Sequence, residues 1–307
     1  MTPETVKPLW IAAPQCGREA CFSLPAVRAI AAVRPVEVIC HFAHRDFWEA
    51  ASVGRIHVVQ EGTKKESAAI LREASEILLW EGGLFADAAA KAGVGVRTGL
   101  PAPDLAKRLT TPITRAINPG PVEHAVRRYL AVAGHFGADP FDPEFFTPLD
   151  HPIEKSEGYL LIPTSSFGSH YDWPLERWVE VIAQLGIEKE SVQVLAEDPG
   201  LEIWASEQGL PVIPKADLWK QLAAASKVIS VESPWPHFAA AFGATCAILY
   251  GPGDPNLHRP LGKQHLAIRK KAECAPCFTH KCPMDLRCQK ELSVERVVAE
   301  LQPLTRP

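Results

Sequence analysis

VISVESPWPHFAAAFGATCAILYGPGDP, residues 228–255, reads as a buried strand, a polar corner, a helix of small residues, a second strand and a Gly/Pro turn. A strand, a crossover helix and a second strand at this spacing make one unit of a parallel α/β sheet. In such sheets ligands sit beyond the carboxyl ends of the strands, where helix N-termini present unpaired N–H groups and a partial positive charge. The corner Val231–His237 occupies that position. Glu232 or Ser233 could cap the helix or accept a hydrogen bond from a ribose hydroxyl, and His237, on the first turn, is within reach of an anion. The alternative is that Ser233 is an ordinary cap and His237 a solvated helix residue. The turn YGPGDP (250–255) follows the next strand and borders the same crevice, and two corners side by side favour a ligand site.

Outward from this stretch the same alternation continues. Toward the N-terminus it runs through PLWIAA (8–13), Leu24–Val33, VEVIC (36–40), EILLW (76–80) and Leu84–Ala92. A second series holds GYLLIP (158–163), a helix opening at Trp173-Pro174, SVQVLA (191–196), Leu218–Ala225 and KVISV (227–231). Between them the proline-dense text at 140–156 marks a linker. The 307 residues fit two domains of about 150 residues each: 1–150, then 157–291, with a closing amphipathic helix within 292–307.

A formal net charge of −4 gives no footprint for duplex nucleic acid. The start, MTPETVKPLWIAAPQ, has no basic segment leading into a long apolar one, and no run is long enough to span a membrane. The expectation is a cytoplasmic protein. Four of the eight cysteines, Cys274, Cys277, Cys282 and Cys288, crowd into one proline-containing loop as C-x2-C-x4-C-x5-C. Four thiolates at such spacing can meet the tetrahedral shell of zinc or hold an iron–sulfur cluster; free thiols packed as small hydrophobes, or a disulfide, are the other readings. Lys107, Arg108, Arg115, Arg127 and Arg128 face only Glu123 between 107 and 128, five basic groups against one acid, a local balance of +4. That balance suits a phosphorylated acceptor on an anionic membrane face, although solvated helix faces give similar runs.

The stretch SVESPWPHFAAAFGATCAILYGPGDPNLHRPLGK resembles the nucleotide-sugar motif of glycosyltransferase family 9, the ADP-heptose:lipopolysaccharide heptosyltransferases, in which an Asp-Ser/Thr-Gly-x-x-His corner precedes a strand and a Tyr/Phe-Gly-Pro-x-Asp-Pro turn. LIPTSSFGSHYDWPLERWVEVI is similar to the strand, hydroxyl loop and helix that open the family's second domain. CGREACFSLPAVRAI is similar to its N-terminal loop and helix, and CAPCFTHKCPMDLRC to the cysteine-bearing tail of heptosyltransferase II-like members.

The resemblance implies a GT-B fold: two Rossmann-like domains facing across a cleft, the last helix returning to the first domain. It also implies an inverting transfer of a sugar, heptose in the family, from a nucleotide-diphosphate donor held by the second domain. The acceptor would be a lipopolysaccharide-core or related lipid-linked glycan met at the inner face of the inner membrane, and no metal would be obligatory for transfer. Glu19 falls where the family places its loop aspartate, the general base. Glu232, Ser233 and His237 fall on the donor corner, Ser165 and Ser166 in the hydroxyl loop near the phosphates, and Glu197 after a strand where it would meet the nucleoside. Two departures stand out. Pro234 replaces a glycine whose N–H helps hold the phosphate, and Tyr171 occupies the slot of a lysine. His170 or Lys263 could restore that positive charge, or be surface residues. The departures favour a second reading, a degenerate relative that binds nucleotide or glycan without transfer; a GT-B epimerase or hydrolase is a third.

Overall fold

A computed structural model of the chain describes residues 7–114, 124–279 and 281–305. The chain divides into two units, Met1–Thr147 and Pro148–Pro307, each built on one all-parallel sheet.

In the first unit the strands are β1 (Leu9–Ala12), β2 (Val36–His41), β3 (Arg55–Val59), β4 (Glu76–Leu78), β5 (Val96–Gly99) and β6 (Thr111–Pro112). Their order across the sheet is β3-β2-β1-β4-β5-β6. β1 lies in the middle, with Trp10 opposite Glu37 of β2 and Ile77 of β4, and is buried throughout, as a strand covered on both faces must be. The order reverses between β1 and β4, so the loops leaving those strands border the crevice where such sheets bind ligands.

The second unit contains β7 (Tyr159–Ile162), β8 (Val192–Val194), β9 (Lys227–Val231), β10 (Thr245–Tyr250) and β11 (Leu266–Arg269), ordered β11-β10-β9-β7-β8. Here the reversal falls between β7 and β9, which pair from Tyr159↔Lys227 to Ile162↔Ser230. The core behind this sheet gathers Trp173, Trp178, Val181, Val194, Val231 and Leu249. The Trp-Pro-x-x-x-Trp sequence has a structural reason. Pro174 caps the helix Leu175–Gln184, Trp178 is fully buried, and Trp173 Nε1 donates to Leu292 O at 3.1 Å.

That last bond anchors the closing helix, Val294–Thr305, whose Val297, Leu301 and Leu304 enter the same core. The apolar face of this helix thus lies in the core of the second unit. Among the described residues no helix is long and apolar enough to cross a membrane.

Candidate active site

In the first unit Glu19 lies not on a loop but in the first turn of the helix Gly17–Val33, an acidic residue at the end where the helix dipole favours one. Helix growth starts at once after Cys16, and Pro25 is accommodated inside the helix. The Glu19 carboxylate is largely buried and ringed by donors. Arg128 Nη2 reaches Oε2 at 2.5 Å and the Tyr129 hydroxyl donates to the same oxygen at 2.8 Å, while Arg18 Nε stands 3.5 Å from Oε1. Across the switch point, Glu81, just beyond β4, accepts from the Gln15 N–H at 2.9 Å. Burial and then the charge of Glu19 push the Tyr129 hydroxyl far up, which keeps its proton available for donation.

In the second unit the loop after β7 and the corner after β9 meet at the order reversal. Ser165 Oγ donates to Glu232 O at 2.5 Å, and the Ser165 N–H donates to Asp172 Oδ1 at 2.7 Å. Glu232, Ser233 and His237 are all essentially buried, which is costly for polar groups that do not serve a ligand or a network. The Glu232 carboxylate lies over Gly253 in the GPGDP turn, so close that a Cβ built there would stand 1.8 Å from Oε2. The corner and the second turn are thus locked together, as their adjacency in sequence suggested. The helix Trp235–Ala241 that follows opens on Pro234 and contains Pro236, so two N–H groups are missing from its first turn; a third, on His237, donates to Pro234 O.

Glu197 follows β8 and accepts from Trp235 Nε1 at 2.8 Å. With Leu195, Ala196, Ile213, Lys215, Leu218 and Trp235 it lines a cavity of about 250 Å³. Burial raises the carboxyls of both Glu197 and Asp172, against the pull of the bonds they accept.

The structure joins Ser165 to Glu232, with Ser233 and His237 buried on the same strand-to-helix corner and Glu197 tied to that corner through Trp235. Ser166 sits in an exposed turn beside them. His170 and Lys263 are not brought to this group. His170 is buried with Nε2 2.6 Å from Thr279 O, facing the cysteine segment. Lys263 is exposed ahead of β11, and the parallel topology puts it at the amino edge of the sheet, opposite the corner. Tyr171 is buried, its carbonyl accepting from Gln289 Nε2. Of the basic run, Arg108 pairs with Asp87 at 2.5 Å and Arg128 with Glu19; Arg115 and Glu123 lie outside the described residues.

Cys274, Cys277, Cys282 and Cys288 line one void of about 30 Å³ together with His170. Burial, then the neighbouring thiols, raise Cys288 to about 11. The four sulfurs share a site, yet among the described residues no three His, Cys, Asp or Glu side chains converge as the shell of a metal ion.

Asp172, Arg128, Tyr129, Trp235 and Gly253 are partners of the candidate residues that the sequence pattern does not reveal. Only Asp172 carried a local signal, an acid just before the Trp-Pro helix start.

The model of glycosyltransferase family 9 (heptosyltransferase) matches residues 112–287. Among solved structures, the Escherichia coli ADP-heptose lipopolysaccharide heptosyltransferase II superposes with a TM-score of 0.73 at 17% identity, covering 97% of this chain and 98% of that one. The E. coli heptosyltransferase WaaC with ADP-2-deoxy-2-fluoro heptose gives 0.70 at 19%, covering 97% and 100%. The iron-containing dodecameric glycosyltransferase TibC of enterotoxigenic E. coli gives 0.58 at 14%, covering 97% and 76%. These likenesses establish the two-domain GT-B fold expected from the sequence. A comparison with curated protein sequences gives no match.

Proposed function

The chain belongs to glycosyltransferase family 9, and we propose that it moves a sugar, heptose by family likeness, from a nucleoside-diphosphate donor to a lipopolysaccharide-core or related glycan acceptor with inversion at the anomeric carbon. The observation that carries the donor side is the bond from Ser165 to the Glu232 carbonyl, which ties the loop after β7 to the buried corner Glu232–His237 at the order reversal of the second sheet. WaaC, a structural neighbour, was solved with ADP and with an ADP-heptose analogue. The cavity beside Glu197 and Trp235 would take the nucleoside, its apolar walls against the base and the carboxylate toward a hydroxyl or amino donor.

Glu19 is the proposed general base. It removes the acceptor hydroxyl's proton as the oxygen bonds to the anomeric carbon and the diphosphate departs with the electron pair. Transfer in this scheme needs no metal. A zinc ion or iron–sulfur cluster at Cys274, Cys277, Cys282 and Cys288 is proposed only as a staple for that loop, in a chain whose fold neighbour TibC is iron-containing. The sulfurs would have to draw in from their present positions. The acceptor's lipid would bring the enzyme to the cytoplasmic face of the inner membrane, where exposed Lys107 adds attraction.

A second reading, binding without transfer, is favoured by one feature: Pro234 and Pro236 remove N–H groups from the helix start where the diphosphate would sit. A thermal-shift panel of nucleoside diphosphates, then nucleotide sugars, tests both. The first reading expects a shift with ADP that His237→Ala diminishes, followed by ADP release from ADP-heptose once a lipopolysaccharide-core acceptor is added. ADP binding without release by any sugar nucleotide of the panel supports the second. No shift with any nucleotide rejects the first reading and the nucleotide-binding form of the second.

A further inference from the structure

Glu19 is held by two neighbours on another helix, and their arrangement bears on how it acts. Arg128 and Tyr129 lie in the first turn of the helix Val126–His135, which packs along Gly17–Val33. Both donate to Oε2 of Glu19, at 2.5 and 2.8 Å, and Arg128 Nη2 also donates to the Tyr129 hydroxyl oxygen at 2.6 Å, closing a three-membered ring of bonds. The Tyr129 ring is fixed in turn. It is fully buried, Trp80 meets it edge-on at 5.0 Å, and the Arg128 guanidinium lies 4.7 Å over its face. The groups facing the carboxylate are thus Arg18 on its own helix and Arg128 and Tyr129 on the neighbouring one, with Glu81 beyond β4 at the same switch point.

We infer that Arg128 and Tyr129 are positioning residues for the transfer reaction: by occupying Oε2 they fix the Glu19 carboxylate in one rotamer and leave Oε1 as the oxygen that takes the acceptor's proton. The inference rests on the proposed role of Glu19. A carboxylate with two free oxygens and a flexible stem would meet the acceptor hydroxyl in many geometries, whereas a general base has to stand within hydrogen-bond reach of the proton it removes. The longer glutamate stem in the place of the family's aspartate makes such a tether the more necessary. In the reaction the proton passes to Oε1, the acceptor oxygen bonds to the anomeric carbon, and the bond from that carbon to the diphosphate oxygen breaks, leaving its electron pair on the diphosphate. Arg128 and Tyr129 stay bonded to Oε2 throughout and touch neither substrate.

The test is a double-mutant cycle on ADP release from ADP-heptose in the presence of a lipopolysaccharide-core acceptor, with Glu19→Gln, Tyr129→Phe, Arg128→Met, Arg128→Lys and the pairs made with Glu19→Gln. Loss of one charge-assisted bond predicts a fall in kcat of about tenfold for Tyr129→Phe and more for Arg128→Met. The KM for the donor stays the same, and Arg128→Lys restores part of the loss. In the Glu19→Gln background Tyr129→Phe then changes kcat less than about twofold, because positioning residues have nothing left to position. A structural tie between helices would instead lower both backgrounds equally or raise KM, and that result overturns the inference while leaving Glu19 in place. Parental turnover by Glu19→Gln removes the base assignment and the inference together, and a parent that releases no ADP removes the transfer reading on which both stand.

Discussion

Gly253→Ala is the substitution for which the structure gives the sharpest magnitude. An alanine Cβ there would lie 1.8 Å from Glu232 Oε2 and 2.4 Å from Oε1 and Cδ, far inside the roughly 3.5 Å of ordinary contact. Glu232 is about 1% exposed, so its carboxylate has no open solvent to swing into and must push the corner or the turn apart. Overpacking of this kind costs about 1–3 kcal/mol. Alanine recovers about 0.4–1 kcal/mol by restricting the unfolded chain, so the variant should lose about 1–2 kcal/mol net. The same displacement moves Glu232 relative to Ser165, whose hydroxyl bonds the Glu232 carbonyl, and should weaken ADP binding at least tenfold in calorimetry. Glu232→Ala removes the clash. Gly253→Ala made in that background should cost almost no stability, a non-additivity that urea unfolding of the four proteins measures directly. Gly253→Ala with parental stability and parental ADP affinity would refute the claim that corner and turn form one locked site.

Other consequences are independent of that cycle. Lys155 Nζ donates to the carbonyls of Ala223, Ala225 and Phe242 at 2.8, 3.1 and 2.7 Å, where the helices Leu218–Ala224 and Trp235–Ala241 end. Lys155→Met should destabilise the second unit by about 1–2 kcal/mol, since a cation there satisfies helix-end carbonyls and the dipole together, and calorimetric melting should show its transition lowered by a few degrees. Because burial raises the Glu197 carboxyl, the folded state holds that proton more tightly than the unfolded one. Stability is therefore lost as pH rises from the ordinary glutamate value, about 4.3, through the raised folded value. Glu197→Gln lacks the effect, so its stability relative to the parent should climb across that window and then level off in urea titrations at successive pH values. For the cysteine segment, metal analysis of anaerobically purified protein should find about one zinc ion or one cluster per chain; neither above trace levels rejects the staple.

The alternation of short apolar runs with helical segments was enough to place both sheets, because central parallel strands such as β1 and β10 are buried on both faces and must be apolar. β3 (RIHVV), β5 (VRTG), β6 (TP) and β11 (LAIR) give no such signal, because they are short or carry charged or small polar residues at partly exposed positions. The candidate corner was legible as a structural unit because its residues are contiguous: Glu232, Ser233 and His237 sit on one strand-to-helix turn, and the turn at 250–255 is its neighbour across one strand pairing. What sequence could not show was reach. His170 lies two residues from Asp172 in a short helical turn, yet one faces the cysteine segment and the other the Ser165 N–H. Arg128, counted in a basic run, is used up by a carboxylate 109 positions earlier. Lys263 looked close to the corner by number, but a parallel connection carries the chain to the far edge of the sheet before β11 begins.

The proposed function divides the labour, with the donor held at the second unit's corner and the chemistry alone left to Glu19 of the first. Calorimetric titration of ADP into the parent, Glu19→Gln and His237→Ala tests that division most directly. The account predicts saturable binding to the parent, the same affinity for Glu19→Gln, and an affinity about tenfold weaker for His237→Ala, the loss expected for one hydrogen bond to a charged phosphate. No binding to the parent, or weakening by Glu19→Gln with His237→Ala unchanged, would contradict it.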